Sequence, residues 1–142
     1  MEQSANESRI MGIDFGEKRI GIALSDPLFT FAYPFTTLQN DSSFLNKLSM
    51  IILKEKIKKI ILGLPSSNQR SSQKLSEKVI KLKTEIELKS KIEVILWDEE
   101  YSSVIAKERV LESVSKKSKR RKKELLDQHS AAVILQEYLD SK

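Results

Sequence analysis

The chain has 142 residues, 39% of them hydrophobic and 32% charged, with a formal net charge of +5. That is enough length and apolar content for one globular domain over 1–142, and too little for two. The absence of cysteine and the single histidine exclude disulfides, thiolate metal sites, cysteine nucleophiles and histidine-rich cages.

The first residues, 1–8, are polar and acidic, without the basic start or apolar centre of a signal peptide. They read as a flexible N-terminus. The longest apolar runs, Met50–Leu53 and Ile60–Leu62, fall far below the roughly 18 residues of a membrane span. A cytoplasmic protein with no membrane partner is expected, its chemistry resting on carboxylates, hydroxyls and bases.

Arg9–Phe15 and Arg19–Ser25 read as two strands around a tight Gly16-Glu17-Lys18 turn, with the glycine expected at positive φ. Phe31–Leu38 is a third strand, which Pro34 confines to an edge or a bulge. Asn40 to Ser43 supply cap candidates for a helix whose apolar residues are Phe44, Leu45, Leu48, Ile51 and Ile52. Lys59–Leu64 is β-branched and fits a buried strand. After the polar loop Ser66–Ser72, the spacing of Leu75, Val79, Leu82 and Ile86 marks an amphipathic helix. Lys91–Trp97 is a further strand and Ser102–Val114 a further helix. Leu125, Ala132, Leu135 and Leu139 mark the last helix. The fold class is α/β: a mixed five-stranded sheet, an antiparallel meander followed by parallel strands, with helices on both faces.

The charge is local. Lys116, Lys117, Lys119, Arg120, Arg121, Lys122 and Lys123 hold seven of the 25 basic residues, leaving 18 against 20 acidic residues elsewhere. A basic mobile loop over 115–123 suits a polyanion guided to one edge of the domain. A solvated, self-repelling loop is the plainer alternative.

Asp14 is the most informative single position, because aspartate is disfavoured in strands. Alternation places it with Ile10 and Gly12. If Gly21, Ala23 and Ser25 share that face, it has room for a ligand. An Asp that bonds the turn amides is the alternative. Asp98-Glu99-Glu100 follows a strand end, where α/β sheets form their sites. Three adjacent acids fit a metal or the start of a helix. Asp127 is expected to open the last helix, with Ser130 and Ala131 on its face and room there for a second body. His129 points elsewhere and has no role. An acid on the first strand, one after a later strand and one on the last helix can together hold two Mg²⁺ or Mn²⁺ ions about 4 Å apart around a phosphate.

The segment Ile13-Asp14-Phe15-Gly16-Glu17-Lys18-Arg19-Ile20-Gly21-Ile22-Ala23-Leu24-Ser25-Asp26 closely resembles the N-terminal signature of the YqgF/RuvX family. Gly63-Leu64-Pro65, Trp97-Asp98-Glu99-Glu100-Tyr101-Ser102-Ser103 and Asp127-Gln128-His129-Ser130-Ala131-Ala132 resemble later family motifs in the same order. The resemblance implies a ribonuclease H-like fold and a metal-dependent nuclease that trims the 5′ end of pre-16S rRNA or resolves Holliday junctions. It implies Asp14, Glu99 and Asp127 as catalytic, metal-holding acids, and Arg19 as a phosphate contact or a brace for the Asp14 loop. Two positions depart from the family pattern: Glu100 stands where an arginine is usual, and Gln69-Arg70 replaces an Asp/Asn-Gly turn.

The leading expectation is a two-ion nuclease acting on structured RNA, with branched DNA as the alternative substrate. Lys18, Arg19 and Arg70 would contact nucleic acid beside the acids, and the basic segment would grip a flanking backbone. Its oligomeric state is expected to be monomer or weak homodimer. A non-catalytic nucleic-acid-binding module is the second reading. A sugar- or acetate-kinase-like phosphotransferase, suggested by Asp14-Phe15-Gly16, is the third, and a lone domain lacks its second jaw.

Overall fold

The computed structural model describes residues 7–64, 70–98 and 119–141, leaving aside the side chains of 70–73 and 119–124. The expected helix Ser102–Val114 lies outside the described residues. Five strands form one sheet: β1 (Arg9–Asp14), β2 (Arg19–Ser25), β3 (Ala32–Gln39), β4 (Ile57–Leu64) and β5 (Glu93–Asp98). Three helices accompany them: α1 (Phe44–Lys54), α2 (Arg70–Ser90) and α3 (Lys119–Asp140). The spatial order is β3-β2-β1-β4-β5. The β1–β2 and β2–β3 pairs are antiparallel, while β4 lies parallel to both β1 and β5. The mixed sheet read from the sequence is therefore the one observed.

Strand alternation divides the core in two. Met11, Ile13, Ile20, Ile22, Ile60 and Leu62 point to one face and pack beneath α1, through Phe44 and Leu48, and α2, through Val79 and Ile86. Ile10, Ala23 and Ile61 point to the other and meet α3 through Ala131, Ile134, Leu135 and Tyr138. Each wholly buried aliphatic side chain in these layers contributes about 1.5–3 kcal/mol. α3 thus covers its face alone among the described helices.

Several local features differ from expectation. No glycine has positive φ; among the described residues the positive-φ positions are Phe29, Lys56 and Lys91. Gly16 is required for space instead, since a β-carbon there would collide with the carbonyl of Arg19. Lys56 and Lys91 follow α1 and α2 and turn the chain into the next strand, a place more often taken by glycine. Ser43 begins α1 without a side-chain cap, and its hydroxyl and amide both donate to Asp41. Pro34 sits both on the edge strand and at a bulge, where Ile22 faces Thr36 but Ala23 faces Pro34. α3 includes Lys119 to Lys123, so the later part of the expected basic loop is helical backbone. Lysine and arginine are good helix formers, and adjoining helix extends through them.

The β2–β3 connection is tightly pinned. The Asp26 carboxylate accepts hydrogen bonds from the amides of Thr30 and Phe31 at 2.7 and 2.8 Å. The Phe29 amide donates to the Asp26 carbonyl. Desolvation works to raise the Asp26 pKa, but backbone hydrogen bonds, led by the Phe31 and Thr30 amides, hold the carboxyl below its ordinary value of 3.8.

Two outcomes follow from this packing. Gly21→Ala drives a β-carbon into the Asp127 backbone and should cost about 3 kcal/mol; an unchanged urea midpoint contradicts it. Because the Asp26 pKa is lowered on folding, its contribution is full above about pH 3.8 and is lost as pH falls through the lowered value. The stability gap between wild type and Asp26→Ala should therefore shrink on acidification to pH 2.5; a constant gap contradicts the carboxylate's role.

Candidate active site

Asp14 ends β1 on the face covered by α3 and is only 7% exposed. Directly across the sheet from it stands Gly21, and Gly12 stands across from Ala23. The small residues of β2 do share the Asp14 face, as the sequence suggested, but the space is filled by α3. A β-carbon at Gly21 would collide with the Asp127 carbonyl, and one at Gly12 would lie 2.8 Å from both the Ala131 carbonyl oxygen and the Leu135 β-carbon. The second body that the small face of Asp127 admits is the sheet itself. Ser130 and Ala131 are wholly buried there.

This contact brings Asp127 to the corner of the sheet occupied by Asp14. Asp127 lies inside α3 rather than at its start. From the first residue of β2, the Arg19 guanidinium Nε donates to Asp127 Oδ2 at 3.0 Å, a link between residues 108 positions apart. Both side chains keep some solvent contact, 27% and 19%, so the pair contributes about 1 kcal/mol after screening. Arg19 thus braces Asp127, on a helix distant in sequence. Lys18, next to it, is exposed on the turn. Its carbonyl accepts from the Asn40 amide, and the Asn40 side chain donates to the Gly16 carbonyl, so the turn is held in place. Glu17 extends this hold through Lys78 of α2 at 2.7 Å.

β1, β4 and β5 are parallel, so their carboxyl ends share one edge of the sheet. Trp97 faces α3: its ring meets Tyr138 edge-on and its indole N–H donates to Glu137. Asp98, one position on and exposed, falls on the face of Leu96, away from Asp14. Glu99, Glu100, Gln69, Lys116 and Lys117 lie outside the described residues. Arg70 opens α2 and Lys119, Arg120, Arg121, Lys122 and Lys123 open the described part of α3, their side chains outside the description.

Among the described residues, no group of three or more His, Asp or Glu is placed to hold a metal ion. Asp14, paired with Gly21 across the sheet, and Asp127, whose backbone packs on Gly21, offer hard carboxylate oxygens, which fit a divalent cation of the Mg²⁺ or Mn²⁺ type and not a soft metal. The hydroxyl of Ser130, one turn after Asp127, is fully buried and has no hydrogen-bond partner among the described residues. The sequence reading missed the steric role of Gly12 and Gly21. Small residues on both the strands and the helix were the available sign of close backbone approach.

A family model described as RuvX, Holliday junction resolvase, matches residues 8–141. A protein of Desulforamulus reducens named "Putative pre-16S rRNA nuclease" is 36% identical over 135 residues, covering 94% of this chain and 97% of that one. A protein of the same name from a Sulfurihydrogenibium species is 39% identical over 137 residues, covering 94% and 90%. Among solved structures, Thermus thermophilus RuvC in complex with a Holliday junction substrate aligns with TM-score 0.56 at 9% identity, covering 94% of each chain. The fowlpox virus Holliday junction resolvase aligns with TM-score 0.55 at 15% identity, covering 94% and 99%. These two similarities establish the ribonuclease H-like fold.

A double-mutant cycle over Arg19→Ala and Asp127→Ala should give a coupling of about 1 kcal/mol that declines with added salt. No coupling at low salt contradicts the brace.

Proposed function

Because this chain belongs to the RuvX family, we propose that it is a divalent-metal-dependent nuclease that hydrolyses phosphodiester bonds at the 5′ end of pre-16S rRNA. The observation that carries this reading is the seating of α3 on Gly21, which sets Asp127, held by Arg19, at the end of β1 where Asp14 lies. The names of the full-length relatives favour ribosomal RNA. Branched DNA, which the similar Thermus structure contains, is the alternative substrate.

Asp14, Glu99 and Asp127 would hold Mg²⁺ or Mn²⁺, which supplies Lewis-acid charge at the scissile phosphate and lowers the pKa of an attacking water. The family motif points to Glu99 as the third acid, and Asp98 lies on the face of Leu96, away from Asp14. Around the acids, the chain's own part is placement. Burial keeps Asp14 fixed on a rigid strand, and Arg19 fixes the Asp127 carboxylate while offsetting repulsion between the two acids.

Lys18, exposed on the turn after β1, and Arg70, at the start of α2, would contact phosphate. The run from Lys119 to Lys123 puts five cations in the opening turns of the described α3. Trimming an end needs one active subunit, consistent with a monomer or weak homodimer working in the cytoplasm.

Asp14→Asn should reduce Mn²⁺- or Mg²⁺-dependent cleavage of precursor 16S rRNA by at least about a thousandfold, while rRNA binding and the unfolding midpoint stay close to wild type. Undiminished cleavage removes this site. Binding by the wild type with no cleavage in either ion leaves the non-catalytic module.

A further inference from the structure

At the end of the sheet opposite Asp14, a cavity of about 400 Å³ opens between the β2–β3 connection, the start of β4 and the end of α3. Ile10, Leu28, Phe29 and Tyr138 are among the residues that line it. Lys58 and Lys59 stand over these rings. The Lys58 ammonium is 4.7 Å from the Phe29 centroid, and the Lys59 ammonium is 5.6 Å from the Tyr138 centroid and 3.0 Å from its hydroxyl. Two cations over two rings, around a hollow of ligand size, form a surface for a planar, electron-rich group that carries negative charge.

The site is built rather than incidental. Phe29 adopts φ +59°, a conformation that a bulky side chain takes only under constraint. That constraint is the Asp26 carboxylate with the Thr30 and Phe31 amides. The ring is thereby held against the cavity. Leu28, 82% exposed, forms an apolar lip. Among the described residues Lys58 has no carboxylate partner, whereas Lys59 has Glu93 across from it on β5. Lys58 is therefore the cation left for an incoming anion.

We propose that this cavity binds one unpaired nucleotide of the RNA strand, its base against Phe29 and its phosphate at Lys58. The assignment of RNA rests on the nuclease reading above. Base–aromatic stacking combined with basic side chains is the common chemistry of single-strand binding. Geometry supports the connection to the acids: Ile10 and Asp14 are four strand positions apart, roughly 13 Å. α3 runs between the two places, from Asp127 beside Gly21 to Tyr138 at the cavity. A strand following this helix meets both. The cavity then sets a measuring point, a fixed distance of unpaired RNA from the bond that is cut.

Trp97 is the sole tryptophan of the chain, and its ring stands edge-on to Tyr138 at 5.6 Å. Its fluorescence therefore reports on the cavity wall. Hexa-adenylate RNA and AMP are titrated separately into the full chain in EDTA, where no metal-dependent cleavage occurs. The hexamer should bind saturably, change Trp97 emission and bind more tightly than AMP. Lys58→Glu, a change at an exposed side chain, and Phe29→Ala should each weaken the hexamer about fivefold or more. Unchanged affinity in Lys58→Glu with an unaltered circular dichroism spectrum overturns the proposal. Equal affinity for AMP and the hexamer also overturns it, assigning the cavity to a free nucleotide. The two readings fail separately: binding in EDTA by a wild type that cleaves nothing in Mn²⁺ supports the cavity and removes the nuclease. Cleavage with no fluorescence response and no loss in Lys58→Glu does the reverse.

Discussion

The structure depends on a backbone-to-backbone contact. α3 lies so close to β1 and β2 that Gly12 and Gly21 have no room for a β-carbon. Close approach places Ile134 and Leu135 in the second core layer with no solvent contact. The same approach delivers Asp127 to Asp14 from the far end of the sequence. Folding energy and site geometry therefore have one determinant. A change that lifts the helix by the width of a methyl group disturbs both.

The electrostatics are arranged around that contact. A buried carboxylate is unfavourable unless it finds compensation, and Asp14 is nearly buried beside a helix that brings a second acid. Arg19 supplies part of the compensation through Asp127; in the proposed working state a divalent cation would add to it. Charge elsewhere is segregated along α3. Its opening turns carry the basic run, and its last turns bring Tyr138 to Lys59. The helix thus connects the acids, the basic run and the aromatic cavity. Each of them suits a different part of one nucleic-acid strand.

Much of the architecture was legible in the sequence because it rests on local patterns. Apolar runs in β1, β2 and β4 and the spacing of Val79, Leu82 and Ile86 are set by what is buried, and burial is what hydrophobic patterning encodes. Pro34 announced an edge and a bulge because it lacks an amide to donate. Other features depend on contacts between distant segments and carry no local signal. Gly16 read as a flexible turn residue, while its need is steric, against Arg19. The space beside Asp14 read as a ligand cavity because the sequence shows small side chains but not what fills the gap. Arg19 was recognisable as a functional base, but its partner on a helix 108 residues away was not. Phe29 gave no sign of its strained conformation, since only the closed Asp26 loop imposes it.

The central claim is that Asp14 and Asp127 share a cation once α3 is seated on Gly21. Titrating Mn²⁺ into isotope-labelled protein and recording paramagnetic broadening of backbone amide signals tests it most directly. The account predicts that signals of Asp14, Phe15, Gly21, Asp127 and Gln128 broaden together at the lowest Mn²⁺ additions. Signals of Leu28, Phe29 and Leu139, at the opposite end of the sheet, should remain sharp at those additions. Broadening that begins elsewhere, or that reaches one of the two acids without the other, contradicts it.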